Sequence, residues 1–197
     1  LNEGNEQCLL PSAKSIPIEG LRCSNWNVNG LNQRLQKGEF ATFLGNTKSD
    51  VIMLSEIKCA PADVDHARQL YAGLISLGYV HIVWNWCVDK TNKLNTRHAG
   101  TMIISKYKLN DVHFGLNDQP DPQGRCITAS IGTTTLVSTY VPCSPLNNSD
   151  DRNIARIEFE QELKRHLSTR MEGNNQVFWT GDLNIAPNDS DSSPSTN

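Results

Sequence analysis

Four short polar clusters carry the residue types that could do chemistry. They are Asn27-Val28-Asn29-Gly30, Glu56-Ile57-Lys58, Tyr140-Val141-Pro142 and Gly181-Asp182-Leu183-Asn184. Each follows a stretch of strand composition, so each stands where a core strand ends. Strand ends bring distant segments together, and the loops there are where sites are usually built. Carboxylates with amide oxygens beside them suit a hard cation such as Mg²⁺. Such a cation polarises a phosphoryl oxygen and stabilises charge on a leaving oxygen. A second carboxylate can orient or deprotonate water, and a phenol or an amide can hold developing oxyanion charge. Each cluster also has a plainer reading. Gly-Asp and Asn-Ile are common turn pairs, Glu56 could be a strand-end acid paired with Lys58, and Tyr140 could be a packed tyrosine with a satisfied hydroxyl.

The elements that must position these clusters alternate along the chain. "LRCSNWNV" (21–28) reads as a strand ending at Asn29-Gly30, and residues 33–46 as a short helix. "DVIMLSE" (50–56) is a nearly continuous apolar run closed by an acid, the pattern of a strand buried on both faces. Pro61 fits the first turn of a helix over about 61–77, ended by Gly78. Residues 80–87 read as a strand, 89–100 as a polar loop and "TMIISK" (101–106) as another strand. "GRCITASI" and "TTLVSTYV" form a hairpin around Gly132. The polar loop "CSPLNNSD" enters an amphipathic helix over 151–168, with Ile154, Ile157, Phe159, Leu163 and Leu167 as inward candidates. "QVFWTGD" is the final strand, and there is no internal repeat. Trp26, Trp84, Trp86 and Trp179 read as packing residues, His66 and His166 as surface positions on helices.

Composition sets the bounds. The 197 residues suffice for one sizeable domain or part of a larger one, and 38% hydrophobic with 20% charged residues is ordinary for a globular chain. Residues 1–20 read as a polar arm without a secretory-type apolar core, and residues 192–197 as a flexible tail. No apolar run approaches the roughly 20 residues of a membrane span, so no membrane partner is expected. A net charge of −3 argues against broad nonspecific nucleic-acid binding but leaves room for a local basic groove. Six scattered cysteines without a Cys-x-x-Cys spacing read as reduced, buried thiols of an intracellular protein.

Together, "WNVNGL", "LSEIK", "AGTMIISK", Gly124-Arg125, "TYVP" and "GDLNIAP" resemble, in order, the motifs of exonuclease III-type apurinic/apyrimidinic endonucleases, in the endonuclease/exonuclease/phosphatase superfamily. The resemblance runs over about 21–191. It implies an α/β fold of the α+β type, a four-layer sandwich of mixed sheets flanked by helices, present here in part. It implies a cation, Mg²⁺ or alternatively Mn²⁺, at Asn27, Glu56, Asp182 and Asn184. Tyr140, Asp182 and Asn184 take catalytic roles, and Asn29, Lys58, Arg97, His98 and Arg125 face substrate. Lys58, Arg97 and Arg125 could equally form a solvated basic face. The implied partner is DNA with abasic sites or 3′ ends. The implied activity is phosphodiester cleavage 5′ to an abasic site, with 3′-exonuclease or 3′-phosphodiesterase activity beside it.

Some positions depart from the pattern. Ser55 replaces a usual Gln, Arg97-His98 a Gly-Tyr-like pair, and Cys143 an Asn or Gln. The family ends in a Ser-Asp-His-like motif that this sequence lacks, and its five histidines (66, 81, 98, 113 and 166) lie in other contexts. The chain thus corresponds to the first two-thirds of such an enzyme, with the last third absent. Two alternatives stand beside the nuclease: a non-catalytic binding or scaffold module derived from the family, and a phosphatase of the same superfamily.

Overall fold

The computed structural model describes residues 7–9, 20–59, 64–88, 98–143, 150–188 and 191. Two sheets lie face to face. The first has the order β1-β4-β5-β3-β2, from β1 (Gln7–Leu9), β2 (Cys23–Asn27), β3 (Val51–Ser55), β4 (His81–Asn85) and β5 (Thr101–Ser105). The second has the order β6-β7-β8-β9, from β6 (Asn110–Phe114), β7 (Cys126–Ile131), β8 (Thr134–Tyr140) and β9 (Gln176–Asp182). β2 runs parallel to β3 and β8 parallel to β9; the other pairs are antiparallel. The helices are α1 (Leu31–Gln36), α2 (Glu39–Asn46), α3 (Val64–Ser76) and α4 (Asp150–Arg170).

The layering follows from side-chain alternation along buried strands. Val51 and Met53 of β3 face the second sheet and pack with Val83, Ile103, Ile127, Ala129 and Leu136. Ile52 and Leu54 face the other way, into a core with Trp84, Met102, Leu31, Phe40, Leu70 and Leu74 beneath α1–α3. On the far side, Cys126 and Val137 meet Leu163 of α4, with Phe159 and Leu167 packed alongside. Helix, sheet, sheet, helix is the expected four-layer sandwich of mixed sheets.

Several local expectations change. The helix expected over 33–46 is two helices, broken at Lys37-Gly38, where Gly38 has φ 71°. α3 is described from Val64, so the Pro61 start and the side chain of His66 fall outside the described residues. Gln7–Leu9, within the stretch read as a polar arm, pairs with β4. β6 went unanticipated because its sequence is polar; it is an edge strand with a register shift between Asn110 and His113.

α4 corrects two readings at once. Its inward stripe is Arg156, Phe159, Leu163, His166 and Leu167. Ile154 and Ile157 point away and are 51% and 53% exposed. At 100° per residue, Ile154 lies about half a turn from Leu163. His166 is buried, not a surface residue: its Nε2 and the Thr128 hydroxyl are 2.8 Å apart, and its Nδ1 accepts from Asn117 N at 3.0 Å. Two polar residues in the inward stripe disguised the true face of the helix.

Trp84 and Trp86 are buried and stacked, and Trp26 packs on Phe40 and Phe43, as expected of packing residues. Trp179 is 40% exposed on β9. Cys59, Cys87 and Cys126 are buried, as expected, whereas Cys23 is half-buried and Cys143 exposed. No described helix is long and apolar enough to cross a membrane.

Candidate active site

β2 and β3 run side by side with Asn27 opposite Ser55, which delivers Asn27 and Glu56 to one sheet end. β8 and β9 do the same in the other sheet, with Tyr140 opposite Asp182. Face-to-face packing then joins the two ends. Asn27 Nδ2 donates to Glu56 Oε1 at 2.7 Å and to Asp182 Oδ2 at 2.6 Å. Tyr140 Oη donates to Glu56 Oε1 at 2.9 Å. Lys58 Nζ reaches Glu56 Oε2 at 2.8 Å and Asn29 Oδ1 at 2.5 Å. Asn29, Lys58, Glu56, Tyr140, Asn27 and Asp182 thus form one hydrogen-bonded cluster.

Arg125 and Asn184 adjoin it. The Arg125 guanidinium lies 4.7 Å from the Tyr140 ring centroid, and its Nη1 donates to Tyr140 O at 3.0 Å. Asn184 N donates to Asp182 Oδ1 at 3.0 Å, and its side-chain amide donates to Val141 O at 2.7 Å. His98 sits against the Cys87 sulfur at 3.6 Å, on the loop leading into β5. Arg97 lies outside the described residues.

The backbone is held in costly conformations where these side chains emerge. Asn29, Glu56, Lys58 and Asn184 all have positive φ, between 43° and 51°. A non-glycine residue there costs on the order of 1–3 kcal/mol and persists only when its surroundings over-determine it; such residues cluster at functional sites. Gly181 shows why β9 needs a glycine just before Asp182: a Cβ there would stand 1.8 Å from Thr139 O of β8.

The electrostatics agree with the geometry. Burial alone would raise the Glu56 carboxyl, but hydrogen bonds from Lys58, Asn27 and Tyr140 outweigh it and hold the group below the usual carboxylate range. Burial, and then the Glu56 charge, push the Tyr140 phenol up, so it stays protonated and remains a donor. Glu56 and Asp182 bring two carboxylates to one amide, next to the amide groups of Asn184 and Asn29. Among the described residues no three His, Cys, Asp or Glu side chains converge on one metal position. Two carboxylates with amide oxygens nearby suit a hard ion that keeps waters or substrate oxygens in its shell, as Mg²⁺ does, and not a closed zinc site. The expected donor set is therefore chemically suited to such a cation.

Two residues that the sequence reading passed over support the cluster. Asp121 is buried; its Oδ2 accepts from Asn85 Nδ2 at 2.9 Å and from Cys126 N at 2.8 Å, fixing the loop that carries Arg125. Gly124 in that loop passes so close to β4 that a Cβ would lie 2.3 Å from Asn85 O. The other is Arg156, which reaches back from α4 to the loops after β8 and β9. Its only sequence signal was an arginine standing at an inward helical position.

Comparison with known proteins gives a consistent result. The model of the "Endonuclease/Exonuclease/phosphatase family" matches residues 24–197. An exodeoxyribonuclease of Bacillus subtilis is 27% identical over 170 residues, covering 84% of this chain and 59% of the relative. A DNA-(apurinic or apyrimidinic site) endonuclease of Dictyostelium discoideum is 27% identical over 184 residues, covering 90% of this chain and 45% of the relative. Among solved structures, a 3′ phosphatase from Neisseria bound to a product DNA hairpin superposes with a TM-score of 0.68 at 27% identity, covering 87% of this chain and 60% of that one. The chain spans about half to three-fifths of the length of these relatives.

Proposed function

Because this chain belongs to the endonuclease/exonuclease/phosphatase family, we propose that its cluster serves divalent-cation-dependent cleavage of DNA phosphodiesters, within a polypeptide that supplies further residues. The substrate proposed is DNA at abasic sites, cut on the 5′ side, with 3′ ends as a second substrate. An absent base lowers the cost of extruding the sugar into a pocket. In this reading residues 21–191 carry the domain's motifs, Gln7–Leu9 adds a strand to its first sheet, 192–197 follow it, and the setting is intracellular.

The observation that carries the proposal is the convergence of Glu56, Asp182 and Tyr140 around Asn27. Glu56 and Asp182, with Asn27 and Asn184 beside them, would hold the ion, for which we propose Mg²⁺ with Mn²⁺ as a substitute. Asn27 now turns Nδ2 to both carboxylates, so its amide would have to turn over to offer its oxygen. Once bound, it would polarise a phosphoryl oxygen and stabilise charge on the leaving oxygen. The chain's own groups have separable tasks. Asp182 orients the attacking water and takes its proton. Tyr140, protonated, donates to a phosphate oxygen. Lys58 and Arg125 place positive charge near the backbone, and Asn29 and His98 face the nucleic acid.

Three of the four histidines whose side chains are described are engaged away from the cluster, and the fourth, His98, rests against Cys87, which supports a need for residues from elsewhere. His81 and His166 are buried in hydrogen bonds to Leu109 N and to Thr128 and Asn117, and His113 pairs with Asp118. The decisive experiment uses a duplex oligonucleotide with one abasic analogue, incubated with Mg²⁺ or EDTA. A polypeptide that continues this chain to a Ser-Asp-His-like segment is expected to incise it in Mg²⁺ alone, and the 197 residues by themselves hardly at all. Robust EDTA-sensitive incision by the 197 residues would refute the need for added residues. No incision by the longer form would favour the binding-module alternative.

A further inference from the structure

We propose that Arg156 is a positioning residue for this cluster: its guanidinium clamps the ends of β8 and β9 together, so that Tyr140 and Asp182 hold their places against Glu56 and Asn27. The residue comes from α4, the crossover helix that joins these two parallel strands. Its side chain is 11% exposed. Nη1 donates to Pro142 O at 2.9 Å and to Asn184 O at 3.0 Å, and Nη2 donates to Leu183 O at 3.2 Å. Nε donates to Glu160 Oε1 at 2.8 Å, one helical turn on, which fixes the plane of the fork. One side chain therefore satisfies three backbone carbonyls on two loops, one following Tyr140 and the other following Asp182.

Those loops are also tied to each other. Val141 N donates to Asp182 O at 2.9 Å, and the Asn184 side chain donates to Val141 O at 2.7 Å. Asn184 adopts φ 49°, a conformation its surroundings must impose. Beside the bonds of Asn184 to Asp182 Oδ1 and Val141 O, Arg156 adds a further restraint from behind through Asn184 O. A planar guanidinium with five N–H donors can span three carbonyls; a lysine ammonium, a compact point charge on a flexible stem, cannot hold the same fork. Arg156→Lys should thus keep the charge and the helix while loosening the clamp.

The clamp's effect on ion binding rests on the proposed cation role of the cluster; the clamp itself does not. The test is amide hydrogen exchange on the 197-residue chain, comparing wild type with Arg156→Lys and Arg156→Met, together with a Mn²⁺ titration. The probes are the amides of Val141 and Asn184, which bond to Asp182 O and Oδ1. The expected result is exchange about tenfold faster at these two amides in both variants, with Ile103 in the inter-sheet core unchanged. In the same variants Mn²⁺ binding should weaken by about tenfold, because the Asp182 carboxylate is no longer held in place. Unchanged exchange at Val141 and Asn184, or an equal rise at Ile103, would overturn the proposal in favour of a general packing role. If Arg156→Met fails to fold, Arg156→Lys alone decides. If wild type binds no Mn²⁺, the cation reading fails while the exchange result still judges the clamp.

Discussion

Glu56 and Asp182, carried by different sheets, accept hydrogen bonds from one nitrogen, Asn27 Nδ2. Lys58 pairs with Glu56, but Asp182 has no ion-pair partner among the described residues, so the two carboxylates together leave negative charge that a cation would neutralise. Millimolar Mg²⁺ is therefore expected to stabilise the folded state by mass action, by about 2.7 kcal/mol at a hundred times Kd, and so to raise the melting temperature. Glu56→Gln should abolish most of that shift. Differential scanning calorimetry with and without EDTA checks both; an equal shift in the variant would rule out a site built on Glu56.

Asp182→Asn keeps the shape of the side chain and removes its basicity. General acid–base assistance is typically worth ~10²–10⁴-fold. In a polypeptide extended to full activity, abasic-site cleavage should fall at least about a hundredfold while DNA affinity stays close to wild type. Single-turnover kinetics and a binding titration separate the two. Full activity would reduce the Gly-Asp-Leu-Asn stretch to an ordinary turn.

Gly181→Ala tests why that stretch begins with glycine. An added Cβ would collide with the Thr139 carbonyl at 1.8 Å. Forcing β8 and β9 apart should cost about 3 kcal/mol, read as a lower denaturant midpoint. An unchanged midpoint would mean that the strand ends can separate freely.

His166 gives the chain a built-in acid sensitivity. Burial, and then the Arg170 charge, lower its pKa from 6.5 to about 4. The unfolded chain thus binds the proton more readily between these values. The stability that His166 contributes is fully present above pH 6.5 and is lost as the pH falls towards 4. His166→Gln should be less stable than wild type at pH 7, and that gap should narrow at pH 4.5. A gap independent of pH over this range would contradict the buried, neutral imidazole.

Ser55 offers a change in the opposite direction. Its hydroxyl is buried with no hydrogen-bond partner among the described residues. An unsatisfied buried polar group costs about 1–3 kcal/mol, so Ser55→Ala should raise the melting temperature. A fall would reveal a partner for the hydroxyl.

The sequence made the strand ends legible because chemistry-bearing residues follow closely on apolar runs. β3, β8 and β9 read this way, and with them Glu56, Tyr140 and Asp182, whereas β2 and Asn27 were marked by the Asn29-Gly30 turn that follows. β6 was hidden because an edge strand starting Asn110-Asp111 need not look apolar. α4 was rotated in the reading because Arg156 and His166 occupy core-facing positions that a hydropathy pattern scores as surface. The hydrogen bonds of Arg156 to loop carbonyls left no mark at all, since every residue type supplies the same carbonyl oxygen.

β9 ends the second sheet among the described residues, with Phe178 and Trp179 exposed at 42% and 40%. An open strand edge with aromatic side chains is a template for another strand. For the 197 residues in solution this means colloidal behaviour governed by concentration. Light scattering should grow steeply as the sample is concentrated, and a charged residue in place of Phe178 should suppress it without altering the circular dichroism spectrum.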